Sequence, residues 1–457
     1  QLFDPGFQLS FGAVLSLLAF ARAWSGGVER RLGWAHPAWL RRYAAASLGA
    51  TCAIWVGLSP VLAWYFHLVA PVSLLANLLV APLVSALVGM GTLVLLVGAW
   101  CEPAVRLSGW AMTALLDAAV RVVSWCQRIP GGYWFVAPPS SGWLAGYYGL
   151  LGLSLLRRRL GWTHGRLLAC WAAGLALWAW SAVAVRTLES RWLRVDILDV
   201  GHGDSCLVRT PAGHALLIDA GTQEAGRTRV VPFLREAGIT SLDALVLTHA
   251  DEDHLGGAIP VLKALPVRRL LTNGARGDTM SARQVHHLAA RRGVPEAVLA
   301  AGMTLAGGPG VRLEVLHPPA GLVPGVAPAS NDNSVVVKAT RGAVSFLLTG
   351  DLEEAGLPWL LRAEDQALRA AVLKVPHHGS RLGRAGAQLF RRVRPAVAVL
   401  SVGRVHRLPA PETVQALRDA GAGIVMTREE GAVQLRTDGH RLEVRTFRSG
   451  KRWTLAW

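Results

Sequence analysis

The chain has 457 residues, 52% of them hydrophobic, with a formal net charge of +17. That length holds two or three domains, and the apolar content is high for a soluble enzyme. No glycine-rich phosphate cradle is present, which argues against nucleotide-driven pumping by this chain.

The composition is split. Of 18 Trp, 15 lie before residue 193, and the acidic residues of that first half are only Asp4, Glu29, Glu102, Asp117 and Glu189. The first half therefore reads as membrane and the second as a soluble domain, with expected boundaries at 1–188 and 190–457. The basic excess fits a polyanionic partner such as nucleic acid or lipid headgroups. It equally fits a GC-rich genome, because Arg far outnumbers Lys and the chain is rich in Ala, Gly and Leu. Five Cys have no paired spacing and four sit in apolar segments, which suits packing. The chain starts at Gln1 and runs straight into an apolar helix, so it is expected to be a piece of a longer protein.

In chain order, residues 7–21 form an apolar helix, followed by a basic loop with Arg22, Arg30, Arg31, Arg41 and Arg42. Residues 44–66 form a second span, ended by His67 and Pro71. Residues 72–99 are longer than the ~20 residues a bilayer needs and contain Pro82, so this run is tilted, kinked or broken. Residues 103–128 carry Arg106, Asp117, Arg121 and Arg128 at helical spacing. That is an amphipathic helix, lining a watery path or lying on the surface. The loop 130–142 reads as interfacial. A short span at 143–156, a basic stop at Arg157–Arg159 and a Trp-rich last span at 166–186 follow. The positive-inside rule places loops 22–42 and 157–166 in the cytoplasm. If 103–128 crosses, the last span delivers residue 190 onward to the outer face.

From Trp192 the period changes to strands. Segments 193–200, 205–209, 215–218 and 243–248 read as strands, with a tight turn at Gly201–Asp204 and a hairpin at 211–213. Helices near 228–238, 258–264 and 280–292 alternate with strands near 268–272 and 311–316. Strands 335–340, 344–349, 372–375 and 396–401, a helix at 411–419 and short terminal strands complete a layered α/β arrangement. The ligand-type residues sit at strand ends. His249, Asp251, Asp253 and His254 crowd six positions after 243–248. Asp351 ends the strand 344–349, and His377 and His378 follow 372–375. A fold tolerates such crowding when a cation satisfies it. Two divalent ions need about this many donors, with Asp351 placed to bridge them. The several carboxylates favour Mn²⁺ or Mg²⁺ over Zn²⁺ alone, and hydrolysis is the natural reaction class. His214, His286, His287, His317 and His440 have no such context.

At these residues the second half resembles the metallo-β-lactamase fold, an αββα sandwich. Thr-His249-Ala-Asp251-Glu-Asp253-His254 is similar to that superfamily's HxHxDH motif, with Asp251 in place of the second His. Leu-Leu-Ile-Asp219-Ala-Gly is similar to its first motif, whose Asp supports the ligands from behind. The runs at 199–204, 331–334, 347–351 and 373–380, with Phe-Gln-Leu-Ser-Phe (7–11), narrow the resemblance to ComEC-type competence proteins, a transmembrane helical bundle joined to that hydrolase domain. The resemblance implies an upstream region, a multi-pass location in the cytoplasmic membrane, and uptake of single-stranded DNA in natural transformation. It also implies partners in the competence machinery, and a homo-oligomer is compatible with it. On it, the metal ligands are His249, Asp251, Asp253, His254, Asp351 and His377 or His378, with Asp253 and Asp351 catalytic. Asp219, His202, Asn331, Ser334, Lys374 and His406 fall behind the ligands or against substrate. His202 stands where the family usually has Gln, and the family's late His is absent, with His406 nearby. Two other readings stay open: a membrane-tethered hydrolase of small esters or lactams, and a DNA channel whose hydrolase is inactive.

Overall fold

The computed structural model describes residues 4–31, 37–97, 102–157, 159–404 and 407–457. Cys101, Arg158 and His406 lie outside the described residues. The chain divides into two compact units, 1–178 and 179–457.

The first unit is helical: α1 (Pro5–Arg31), α2 (Ala38–Phe66), α3 (Ser73–Val97), α4 (Glu102–Cys126), α5 (Ser141–Leu156) and the start of α6 (His164–Glu189). Asp4 caps α1 by accepting from the Phe7 amide, and Pro5 opens the first turn, where it loses no hydrogen bond. Among the described residues α1, α2, α3 and α6 are long and apolar enough to span a bilayer. The sequence reading is corrected in one place and narrowed in another. The basic stretch after residue 21 is mostly helix, because Arg22, Arg30 and Arg31 continue α1 while Arg41 and Arg42 already belong to α2. Arg is a good helix former, and the helix continues through Gly26 and Gly27 despite their lower propensity. The long apolar run is one continuous helix, Ser73–Val97, through Pro82.

Two prolines inside helices create a specific problem. Pro60 and Pro82 have no N–H, so the carbonyls four residues earlier, Val56 and Leu78, lose their helical partners. In lipid each orphaned group costs several kcal/mol. Tyr147 of α5 donates to the Val56 carbonyl at 2.7 Å, and Tyr43 of α2 donates to the Leu78 carbonyl at 3.3 Å. Tyr148 adds a bond to the Gly57 carbonyl at 2.9 Å. A two-residue ladder, β1 (Leu68–Val69) with β2 (Trp134–Phe135), ties the loop after α2 to the one after α4.

The second unit is an αββα sandwich. One sheet holds, in spatial order, β18 (Arg452–Ala456), β17 (Arg441–Thr446), β16 (Val433–Thr437), β3 (Leu193–Ile197), β4 (Cys206–Arg209), β5 (Ala215–Ile218), β6 (Ala244–Leu247), β7 (Leu270–Thr272) and β8 (Glu296–Val298). The other runs β15 (Gly423–Met426), β14 (Val397–Leu400), β13 (Val372–Lys374), β12 (Val344–Leu348), β11 (Val336–Arg341), β10 (Arg312–His317) and β9 (Thr304–Leu305). Val195, Val208, Val246, Phe346, Val372 and Val444 fill the space between the sheets. Complete burial of a side chain of this size stabilises by about 1.5–3 kcal/mol. The helices Val231–Glu236, Ala258–Ala264 and Met280–Arg291 cover the outer face of the first sheet. Gly383–Val393 and Pro411–Asp419 cover the second. The sequence reading missed Gly383–Val393, whose Gly383 and Gly386 lower its helix propensity. Strands β5–β8 run parallel, as do β12–β15. Their C-terminal ends carry the polar clusters.

Candidate metal centre

β6 ends at Leu247, and Thr248 and His249 follow it into the interior. Asp219 ends β5 with a left-handed backbone (φ 57°) and anchors this turn: it accepts from the Thr248 amide at 2.8 Å and from the Thr248 hydroxyl at 2.7 Å. The hydroxyl, having donated, accepts from His249 Nδ1 at 2.9 Å. Asp219 also accepts from His254 Nδ1 at 2.8 Å. Both imidazoles are thereby fixed with Nδ1 protonated and Nε2 turned towards the site, the arrangement that suits metal ligation. Gly257 lets this turn press on β5, because a Cβ there would collide with the Ala220 carbonyl.

From the second sheet, β12 delivers Asp351 and β13 delivers His377 and His378. Asp351 Oδ2 lies 3.1 Å from His254 Nε2 and 3.0 Å from His378 Nε2. Its amide donates to Ser334 Oγ at 3.2 Å, and Ser334 Oγ is 3.4 Å from His249 Nδ1. His377 and His378 both adopt left-handed backbone, φ 42° and 54°. Each such residue costs roughly 1–3 kcal/mol. The result separates the two imidazoles. His378 is buried in the cluster, whereas His377 stays at the edge, with Nδ1 2.7 Å from Glu353 Oε1 and Nε2 3.9 Å from Asp351 Oδ2. Asn331 Nδ2 donates to the same Glu353 oxygen at 3.0 Å.

Asp253 Oδ2 lies 3.7 Å from His378 Nε2, 4.0 Å from His254 Nε2 and 3.5 Å from His202 Nε2. Asp251 is the most exposed member, its Oδ2 3.7 Å from His249 Nε2. Lys374, placed by sequence behind the ligands or against substrate, is interior. It donates to the Gly350 carbonyl at 2.8 Å and to Asp351 Oδ1 at 3.3 Å, and it pairs with buried Asp204. Asp204, Thr248 and Glu353 were not among the residues marked by sequence. They sit in turns whose composition does not distinguish a support from an ordinary polar residue.

The electrostatics follow from this crowding. Burial, aided by the charge of His254, pushes His249 down to about 3. Burial opposes charge on His254 too, but Asp351 and Asp219 outweigh it and hold it well above the ordinary imidazole range. His378 goes up to about 9, against burial, through Asp351 and Asp253. Burial raises Asp251, with Asp253 adding to the rise. Burial also favours protonated Asp351, yet His254, His378 and Lys374 keep it far below the usual carboxylate range.

The donors fit a divalent cation. His249 Nε2, His254 Nε2 and His378 Nε2 are buried without an aligned hydrogen bond, and they face carboxylate oxygens. Three-residue sets whose donor atoms lie within 4.8 Å of one another include His249–His254–Asp351 and His202–Asp253–His378.

The competence protein family matches residues 1–161, and the metallo-beta-lactamase superfamily matches residues 198–403. ComE operon protein 3 of Bacillus subtilis (strain 168) is 28% identical over 95% of this chain. The chain is thus similar to proteins of the ComEC-type competence family. Within the family, recombination protein 2 of Haemophilus influenzae is 28% identical over 60% of this chain, and competence protein ComA of Neisseria gonorrhoeae is 34% identical over 52%. The chain spans 56%, 33% and 32% of the lengths of these three relatives. It thus joins a competence-family helical region with several apolar helices to a metallo-beta-lactamase-superfamily domain carrying candidate metal clusters.

Proposed function

We propose that this chain takes part in DNA uptake across the cytoplasmic membrane, with residues 1–188 passing one strand and residues 190–457 hydrolysing phosphodiesters of the other. The observation that carries the hydrolytic half is the convergence of His249, His254, His378, Asp253 and Asp351 from two sheets, with three imidazole Nε2 atoms left for ligation. Asp351 lies between the two donor sets, which supports a bridging role. Asp251, exposed with Oδ2 3.7 Å from His249 Nε2, is a further candidate donor beside the first set. Two divalent cations held here would supply Lewis acidity and positive charge for phosphodiester hydrolysis. The carboxylate share of the donors favours Mn²⁺, with Mg²⁺ or Zn²⁺ as alternatives. Lys374 holds Asp351 from behind. His377, at the edge of the cluster with Nε2 3.9 Å from Asp351 Oδ2, is also a candidate donor. The basic excess supplies phosphate contacts, so binding should weaken steeply with salt. With the Arg-rich segments inside, the hydrolytic domain lies on the outer face.

The test uses the full chain in detergent with Mn²⁺ and end-labelled single-stranded DNA, beside Asp253→Ala and a chelator control. Cleavage is expected with Mn²⁺ alone and is lost in both controls. A folded wild-type chain without metal-dependent cleavage sinks the nuclease claim. For orientation, a reporter at residue 457 should be active only outside the cytoplasm.

A further inference from the structure

The turn Gly201–Asp204 packs directly on the Asp253 backbone at the edge of the metal centre. Gly203 adopts φ 103°, and any Cβ there would collide with the Asp253 carbonyl. A Cβ on Gly403 would press on the His202 amide. Asp204, the next residue, is held by buried Lys374. The turn is therefore clamped on both sides, and it carries a half-buried imidazole. His202 packs on His378 with ring centroids 4.7 Å apart.

We propose that His202 is a direct ligand of a second divalent cation, in a donor set of His202 Nε2, Asp253 Oδ2 and His378 Nε2. This rests on the reading that the centre holds two ions. The distances support it. His202 Nε2 and His378 Nε2 lie 3.5 and 3.7 Å from Asp253 Oδ2. Tetrahedral donors about 2.1 Å from one ion are separated by roughly 3.4 Å. The first set, His249, His254 and Asp351, shares no residue with this one. Asp351 Oδ2, 3.0 Å from His378 Nε2, is the oxygen within reach of both. Two imidazoles and one carboxylate with a bridging carboxylate beside them form a balanced site for Mn²⁺ or Zn²⁺. If His202 only touched substrate, it would leave the number of bound ions unchanged.

The experiment counts ions on the full chain in detergent. Equilibrium dialysis with Mn²⁺ gives stoichiometry, and low-temperature electron paramagnetic resonance distinguishes an exchange-coupled pair from isolated ions. Wild type is expected to bind two Mn²⁺ with a coupled spectrum. His202→Ala is expected to weaken the second ion at least about tenfold and to leave a mononuclear spectrum. His202→Asp, which returns an oxygen donor, should recover the second ion. His214→Ala, outside the centre, should change nothing. Two ions with a coupled spectrum in His202→Ala overturn the proposal, and so does one ion in wild type. If wild type binds two ions, His202→Ala binds one and wild type leaves DNA intact, the ligand assignment stands and the nuclease reading falls.

Discussion

The two units treat buried polar atoms in opposite ways. In the helical unit each freed carbonyl meets one neutral donor: Tyr147 on Val56, Tyr43 on Leu78. In the sandwich, charges are gathered together, and three imidazole nitrogens are kept from aligned hydrogen bonds among carboxylates. A fold seeking stability alone would follow the first pattern, because concentrated buried charge carries a large desolvation cost. The contrast marks the strand-end cluster as chemical and the tyrosine bonds as structural.

Removing the internal cation should break that contrast most severely. Lys374→Met leaves Asp204 and Asp351 buried without their shared partner. The expected loss is about 3–5 kcal/mol, read as a lowered denaturation midpoint of the second unit. A stable Lys374→Met chain would mean that the pair with Asp204 contributes little.

Acid should act next. Burial lowers the pKa of His317 to about 4, with its Nδ1 donating to the Ser334 carbonyl at 2.9 Å. The unfolded chain binds this proton more readily than the folded one, so stability rises with pH through the window. The contribution is complete above about pH 6.5 and fades towards pH 4, by roughly 3 kcal/mol. In His317→Gln the acid slope between those pH values should flatten. An unchanged slope assigns the acid sensitivity elsewhere.

Asp219→Asn sharpens the comparison within the charged region itself. It weakens the acceptor that orients His254 and Thr248 while keeping the shape. Mn²⁺ affinity should fall about 10- to 100-fold, measured by titration, with little change in secondary structure. The smallest effect belongs to the neutral pattern. Tyr147→Phe should destabilise the helical unit by about 1 kcal/mol and leave Mn²⁺ affinity alone.

Much of the sandwich was legible because its strands are short apolar runs whose ends carry unusual residues. His249, Asp253 and His254 stood out by crowding, Asp351 and His378 by ending neighbouring strands beside that cluster, and the structure brings them together. Other features had no one-dimensional signal. Asp204 and Glu353 read as turn residues until Lys374 and His377 are seen beside them. The two histidines of 377–378 could not be told apart, since their separation depends on two left-handed backbones in succession. The pairing of Tyr147 with the carbonyl freed by Pro60 spans 91 residues and needs the packed bundle.

That last pairing also orders biogenesis. The Val56 carbonyl loses its partner as soon as α2 forms, yet its replacement donor lies in α5, synthesised three helices later. During that interval the group must be met by water, lipid headgroup or the insertion machinery. The hydrogen bonding of the second half of α2 is therefore complete only after α5 has been synthesised and has packed against it.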